Sequence, residues 1–479
     1  MPQPPLKELH FGHLDASEEA IDEPDLLMGG FYDYREAAFG ITTGRAWLIL
    51  GPKGAGKSAV LEHIRLSWAG RWDHFFSAWN LASFPVNDVT ALQIDQAAGP
   101  ARNQAAWEFL LLLRVIDSLN SDEGLRAPAS FGRLVKELNK AGLLQGDWAR
   151  KVAQWSKQRM TFDAKVIGGE AERDVRKVTA LEVSEALKAE MRQVRTESRH
   201  LIALDGLDSF FFEAEDEWAS LSGLTQAIKD LNRNLRQWAL PVNIVAAMRS
   251  DIFDVLPGAE TNKLKPHSVH LDWSAGGIGG QNHLWALATK KAQVTRPEVT
   301  NLVKQYFNAP IAIGPHTEMA EFLLDNTRLL PRDMIALLGF AQRNYGGSKQ
   351  MPEDNAKAAV QQYAEEYFVG EIFDNLAGVL PLGSARKVAS FRDALRTLPT
   401  RRFDFAYLET ELQGELERNE VRALLRQMFE TGGVGVRNPS GYRDYTDFVF
   451  RKVSGAGFTI RYEFILHDAL VRAWNRPWS

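Results

Sequence analysis

Residues 51–58 read Gly51-Pro52-Lys53-Gly54-Ala55-Gly56-Lys57-Ser58, a full G-x-x-x-x-G-K-[ST] pattern. These residue types in this order can do phosphate chemistry. The glycines let a loop wrap so that successive backbone N–H groups point at phosphate oxygens. Lys57 would reach the β- and γ-phosphates, and the Ser58 hydroxyl would ligate Mg²⁺. A helix opening near Lys57 adds its positive N-terminal end. A second pattern follows at Leu201-Ile202-Ala203-Leu204-Asp205-Gly206-Leu207-Asp208. Four apolar residues ending in an aspartate read as a buried strand that delivers a carboxylate to the metal shell, so Asp205 joins Ser58 as a metal candidate. Asp208, three residues on, is placed to polarise an attacking water. A third apolar run, Val242 to Met248, ends in Arg249, which could sense the γ-phosphate. The plainer alternatives are a strand–turn–helix connection at 46–58, an ordinary Asx turn at Asp205, and a helix cap made by Arg249 with Ser250 and Asp251. No N-K-x-D-type guanine reader follows a core strand, which favours ATP over GTP.

These side chains need elements to hold them. The run 46–50 predicts a buried strand, and Val60, Leu61, Ile64 and Trp68 predict an amphipathic helix after the loop. Further strands are expected at 72–80, 201–204, 242–248 and, at a sheet edge, 269–273. Leu221, Leu224, Ile228, Leu231, Leu235 and Trp238 alternate spacings of three and four, a helix over 219–239. In doubly wound sheets ligands sit at the C-terminal edge of the strands, where Asp205 and Arg249 would both lie. Between the strands, 88–198 reads as a mostly helical insertion. Its parts are a dense apolar stretch at 107–119, amphipathic stretches at 131–142 and 147–158, a small hairpin within 160–178 and a charged helix at 181–197.

The flanks divide the rest of the chain. Residues 1–45 form an N-terminal arm, with Asp15 or Ser17 as a helix cap. The arm either packs across the ATPase core or helps enclose the adenine. The core spans 46–275, and Gly276-Gly277 with Gly279-Gly280 ends it. Residues 276–400 form a helical lid. In it, Leu329-Leu330-Pro331-Arg332-Asp333 opens a helix with proline in its first turn. Arg332 then stands at the wrong end for the helix macrodipole, which implies an anionic neighbour. Residues 401–479 form an α+β unit with helices near 405–413 and 418–430 and strands at 433–437, 446–452 and 458–466. Turns fall at Asn438-Pro439-Ser440-Gly441 and Ser454-Gly455-Ala456-Gly457. Two helices and a β-wing resemble a winged helix, a fold that often reads DNA. Arg418, Arg422 and Arg426 share a helical face by their i, i+4, i+8 spacing. That face contacts DNA phosphates, or it is a solvated or protein-docking face. The expected fold class is thus an α/β P-loop NTPase core, a mostly parallel sheet with helices on both faces, plus a helical lid and a C-terminal α+β winged-helix-like domain.

Composition narrows the partners. The 479 residues carry 56 Lys+Arg against 61 Asp+Glu, a net charge of −5, so no chain-wide basic field advertises nucleic acid. Residues 401–479 hold 12 Lys/Arg and 11 Asp/Glu, a near-neutral balance. Cysteine is absent, which excludes disulfides, thiolate metal sites and a thiol nucleophile. The start Met1-Pro2-Gln3-Pro4-Pro5 lacks the basic and apolar regions of a signal peptide. No apolar run approaches the ~18 residues of a membrane span. The expectation is a cytoplasmic protein with no membrane partner.

Taken together, these residues resemble the STAND-type signalling ATPases within the AAA+ class, and especially a bacterial group of P-loop ATPases. The likeness is carried by Phe11-Gly12 with Asp15-Ala16, by Gly51 to Ser58, and by Arg249-Ser250-Asp251-Ile252-Phe253. Residues 201–208 match the STAND order of four apolar residues, Asp, a small residue, an apolar residue and an acid. A further acid often follows there; here it is Ser209, so the identity of the catalytic base stays open. The resemblance implies that Arg249 is a sensor arginine, Pro331 an adenine contact and Arg332 a second sensor from the lid. It implies an ATPase converting ATP to ADP and phosphate, slow or partner-stimulated. Bound γ-phosphate favours one lid orientation and hydrolysis releases it, with self-association or a protein effector as output, in bacterial defence or stress signalling. No repeat-type sensor domain and no separate effector domain accompany it. Two other readings stand beside this one. Origin-recognition initiators also join an AAA+ core to a winged helix, which gives a DNA-binding ATPase. Ser209 and the small residue after Asp205 give a nucleotide-binding scaffold without turnover.

Overall fold

The computed structural model describes residues 2–81, 100–144, 160–163, 175–178, 180–207, 215–256, 261–276, 280–376, 378–381, 383–440, 443–451 and 457–477. Asp208, Ser209 and the expected helix 147–158 lie outside the described residues. The chain divides into two compact units. One comprises Asp33–Lys53 and Val60–Leu271; the other comprises Met1–Tyr32, Gly54–Ala59 and Asp272–Ser479.

The first unit is built on a five-stranded sheet of β1 (Leu48–Leu50), β2 (His74–Asn80), β5 (Arg199–Asp205), β6 (Val242–Met248) and β7 (Ser268–His270), in the order β2-β5-β6-β1-β7. Every pairing is parallel. β1, β5 and β6 carry largely apolar, buried runs because both of their faces are covered, whereas β2 and β7 are mostly half-buried. Leu48, Leu50, Ile202, Leu204, Ile244, Ala246 and Met248 join one core with the helices Pro100–Asn120 and Glu215–Gln237. The alternate residues Ile49, Leu201, Ala203, Val245 and Ala247 point to the opposite face and are equally buried. Asn232 ties the second helix to the sheet, its amide donating to the Ile244 carbonyl at 2.8 Å and accepting from the Ile244 N–H at 2.9 Å. The chain is thus an α/β P-loop fold, as its sequence predicts.

The first helix of the 88–198 insertion, Pro100–Asn120, forms a layer of the core, packed along Glu215–Gln237. Gly223 makes that approach possible: a Cβ there would lie 2.8 Å from the backbone of Asn103 and Gln104. The indole Nε1 of Trp107 donates to Ser220 Oγ at 3.0 Å across the same contact. The small hairpin is found as β3 (Met160–Asp163) against β4 (Val175–Val178). The charged helix stops early, at Ala180–Met191.

The second unit holds the helices expected within 276–400, among them His283–Thr295, Met319–Asp325, Pro331–Asn344 and Glu353–Tyr363. Residues 2–32 pack here, while 33–45 go with the sheet. The attachment is specific: Gln342 donates to the carbonyls of Leu6 and Leu9, Tyr306 donates to that of Pro4, and Lys291 pairs with buried Glu19. The same stretch also contains a hairpin, β8 (Pro310–Ile313) and β9 (His316–Glu318), where helices alone were expected. Buried Ile311 and Ile313 alternate with exposed Pro310 and Ala312, the period-2 signature of a strand.

The C-terminal region is α+β and winged-helix-like. Helices Phe405–Glu411 and Arg418–Glu430 precede an antiparallel sheet in the order β10 (Arg402–Phe403), β13 (Glu463–Leu466), β11 (Val434–Ser440) and β12 (Arg443–Asp447). The wing is longer than predicted, since Asn438 and Pro439 continue β11 instead of turning. Proline fits because β13 pairs with β11 only as far as Arg437, leaving the Pro439 side of the strand without a ladder to interrupt.

Candidate functional site

At the sheet, the parallel register brings the C-terminal ends of the strands to one edge. Leu50 aligns with Met248 on one side and His270 on the other, and Asp205 ends β5 beside Asn80 of β2. The loop leaves β1 there, with the Gly51 N–H donating to the Met248 carbonyl at 3.4 Å. Asp205 is half-buried, and its Oδ1 accepts from the N–H of Gly206 at 2.8 Å. Gly206 adopts a φ of 82°, which carries the chain sharply off the strand. Asp205 Oδ2 accepts no hydrogen bond among the described residues.

Arg249 stands at the end of β6 and at the N-cap of the helix Ser250–Val255. Its guanidinium grips Asp251 in bidentate fashion, Nε to Oδ1 at 3.0 Å and Nη2 to Oδ2 at 2.6 Å. The side chains keep 16% and 26% of their exposure, so the pair is reachable by a ligand that outcompetes it.

The loop tip is described with the other unit. Gly54 and Gly56 have φ of 87° and 93°, conformations that L side chains rarely adopt. The helix Lys57–Trp68 opens at Lys57, as the sequence predicts; Lys57 is 5% exposed and Ser58 is half-buried. The tip rests on the start of the helix Pro331–Asn344. The Arg332 N–H donates to the Gly54 carbonyl at 3.3 Å, satisfying one of the orphan donors of that helix. A Cβ on Gly54 would stand 3.2 Å from Arg332 Cβ, and one on Gly56 would stand 4.0 Å from Pro331 Cγ. Trp273 Nε1 donates to the Ala55 carbonyl at 3.0 Å. Arg332 Nε reaches the Leu14 carbonyl at 3.1 Å, so the Phe11–Ala16 segment also meets this helix. Asp15 caps that segment's helix, accepting from the N–H groups of Ser17 and Glu18.

The sequence ties an anionic neighbour to Arg332. Beside Arg332, this helix start also carries a buried charge pair that the sequence reading did not single out, Arg328 with Asp333. Arg328 Nε donates to Asp333 Oδ2 at 2.8 Å and Nη2 to Oδ1 at 2.6 Å, both side chains being buried. Burial pushes the Asp333 carboxyl up, but the Arg328 guanidinium more than offsets it and holds it below the usual range. The signal was legible in principle, since an acid in the first turn suits the macrodipole. Trp273 and Leu14 carried no such signal, because they act through an indole N–H and a main-chain carbonyl.

The residues present fit a nucleoside triphosphate. Two left-handed glycines remove Cβ atoms from the loop where phosphates approach, a helix N-terminus begins beside them, and Lys57 supplies the cation. The hydroxyl of Ser58 and the carboxylate of Asp205 are hard oxygen donors suited to Mg²⁺. No helix among the described residues is long and apolar enough to cross a membrane.

No family model matches the chain, and no curated protein matches it in sequence. Among solved structures it is similar to the crystal structure of Cdc6p from Pyrobaculum aerophilum, at 12% identity and a TM-score of 0.31, over 97% of this chain and 95% of that one. The superposition is loose, and the functional reading rests on the geometry of this chain.

Proposed function

We propose that this chain binds and hydrolyses ATP at Gly51–Ser58 and acts as a nucleotide-dependent switch of the AAA+/STAND type. One observation carries the reading: left-handed Gly54 and Gly56 join a central parallel strand to a helix that opens at Lys57. In this scheme Gly51 to Gly56 wrap the phosphates and Lys57 compensates their charge. Ser58 and Asp205 would hold Mg²⁺, which neutralises charge on the β- and γ-oxygens when bound. Asp208 orients the attacking water. Arg249 exchanges Asp251 for the γ-phosphate. Pro331 borders the adenine, and Arg332 reads the occupancy of the loop through the helix it helps to open. The packing of Pro331 and Arg332 against Gly56 and Gly54 supports that last role, because a loop that rearranges around phosphate must move the groups it touches.

The test is nucleotide binding and phosphate release by the full chain and by Lys57→Ala. Binding should weaken at least tenfold and turnover should vanish in the variant. Undiminished binding and turnover by Lys57→Ala would sink the proposal. Turnover insensitive to Asp208→Asn would move the catalytic base elsewhere, and a wild type that binds without turnover would make the chain a scaffold.

A second reading, a DNA-acting ATPase, is favoured by the winged-helix-like unit and by Arg422, which is exposed on it. The other two arginines of that face are engaged locally. Arg418 pairs with Glu409, and the Arg426 guanidinium lies 5.0 Å from the centroid of the Phe458 ring. The switch, with a homo-oligomer or a protein effector as its output, therefore ranks first. Retention of duplex DNA at low salt, lost on Arg422→Glu, would reverse that order.

A further inference from the structure

We propose that His316, Glu321 and Asp325 bind a divalent transition-series cation, with Zn²⁺ the best chemical match, at a site in the lid that the nucleotide reading does not use. His316 opens β9 and is 5% exposed. Its ring is held edge-on to Phe322, with centroids 5.7 Å apart. Glu321 and Asp325 lie four residues apart in the helix Met319–Asp325 and so share a face. One ligand atom from each of the three residues lies within 4.8 Å of the other two.

The imidazole is poised but unbonded. Nδ1 is 3.8 Å from Asp325 Oδ2 and Nε2 is 3.9 Å from Asp468 Oδ2, both beyond hydrogen-bond range. Nε2 is buried and has no hydrogen-bond partner. That nitrogen lies on the Asp468 side of the ring; Nδ1, which faces Asp325, is the one that takes the cation in this proposal. A tetrahedral zinc with bonds of about 2.0–2.1 Å sets its ligand atoms about 3.4 Å apart, so the 3.8 Å between His316 Nδ1 and Asp325 Oδ2 closes with a shift of a few tenths of an ångström, and the 4.8 Å span of the trio with about 1.4 Å.

The neighbours leave this face of the carboxylates available. Arg451 takes Asp325 through Oδ1 and Arg401 takes Asp468 through Oδ1, while both Oδ2 atoms face His316. Glu321 adds a negative charge that neither arginine pairs with in these contacts. A cavity of about 60 Å³ adjoins the Asp325 end of the trio, lined by Asp325, Asp468, Arg451, Thr327 and His467 but not by His316 or Glu321, and has room for a water beside Asp325. One imidazole with two carboxylates suits Zn²⁺ better than Ca²⁺ or Mg²⁺, which prefer all-oxygen shells.

The experiment is calorimetric titration of Zn²⁺ into the chelator-stripped, nucleotide-free full chain, repeated with His316→Gln, Glu321→Gln and Lys57→Ala. One equivalent should bind the wild type and Lys57→Ala alike. Affinity should fall at least tenfold in Glu321→Gln, whose half-buried position leaves folding intact, and in His316→Gln. Co²⁺ should give visible absorption bands with the wild type that are missing in Glu321→Gln. No binding by the wild type, equal binding by both ligand variants, or loss confined to Lys57→Ala would overturn the site. Adventitious binding at surface histidines would show itself as equal binding by both ligand variants.

Discussion

Two buried or half-buried arginine–carboxylate pairs, both bidentate, have opposite expected roles. Arg249 and Asp251 sit two residues apart at a helix start and retain some exposure. If Arg249 senses the γ-phosphate, Asp251 is its resting partner and competes with the ligand. Asp251→Asn removes a charge-assisted pair, and a loss of about 1 kcal/mol of competition corresponds to about fivefold in affinity. The ratio of ATP to ADP affinity should therefore rise about fivefold in the variant. An unchanged ratio, measured by competition binding, would leave Arg249 as a helix cap. Arg328 and Asp333 are different because neither is reachable. Removing one partner strands a charge in the core, so Arg328→Ala should cost about 3–5 kcal/mol in denaturant unfolding of its unit, without changing that ratio.

At the scale of elements, the loop tip offers a controlled comparison. Gly54 and Gly44 both have positive φ, 87° and 73°, but their surroundings differ. A Cβ on Gly44 meets nothing within 4 Å, whereas on Gly54 it presses on Arg332 Cβ at 3.2 Å. Gly44→Ala should cost only the left-handed backbone term, about 1 kcal/mol. Gly54→Ala should cost more and also weaken nucleotide binding, since the contact displaces the helix start that the loop rests on. Equal losses in thermal melts, with binding untouched in both, would show that the tip has no such coupling. The same elements show what the sequence made legible. β1, β5 and β6 were readable because both sheet faces are covered, which writes unbroken apolar runs. Arg418–Glu430 was readable to its bounds because polar and apolar positions alternate at helical spacing and glycines stop it. The β8–β9 hairpin was missed because strands of four and three residues, one residue a proline, make too short a pattern among helices. The core role of Pro100–Asn120 was missed for another reason. A dense apolar helix shows that it is buried but not against what, and the deciding contact is a glycine, Gly223, more than a hundred residues away.

At the scale of the whole molecule, each unit contains a histidine no more than 2% exposed, His200 in one and His467 in the other, which bears on how the protein responds to acid. In the sheet unit, His200 is 1% exposed, stacks on Phe75 and bonds Ser118 Oγ at 2.9 Å; burial lowers its pKa despite Asp122 nearby. In the other unit, His467 bonds the Thr327 carbonyl through Nε2 and accepts from the Ala469 N–H through Nδ1. That pattern fixes a neutral tautomer, and burial pushes its pKa down to about 4. The unfolded chain, with histidine near 6.5, binds the proton first. Stability from neutral His467 is therefore complete above about pH 6.5 and is lost as pH falls through that value toward 4. A shift of this size corresponds to about 3 kcal/mol. Two units with separate cores need not melt as one, so calorimetry at several pH values should resolve which transition is acid-sensitive. His467→Gln keeps a donor and an acceptor but cannot titrate. It should flatten the pH dependence between 6.5 and 4 in the transition of its own unit and leave that of the His200 unit unchanged. If the variant melts with the wild-type pH slope, the acid sensitivity belongs to the carboxylates, and His467 is only a packed ring against Phe368.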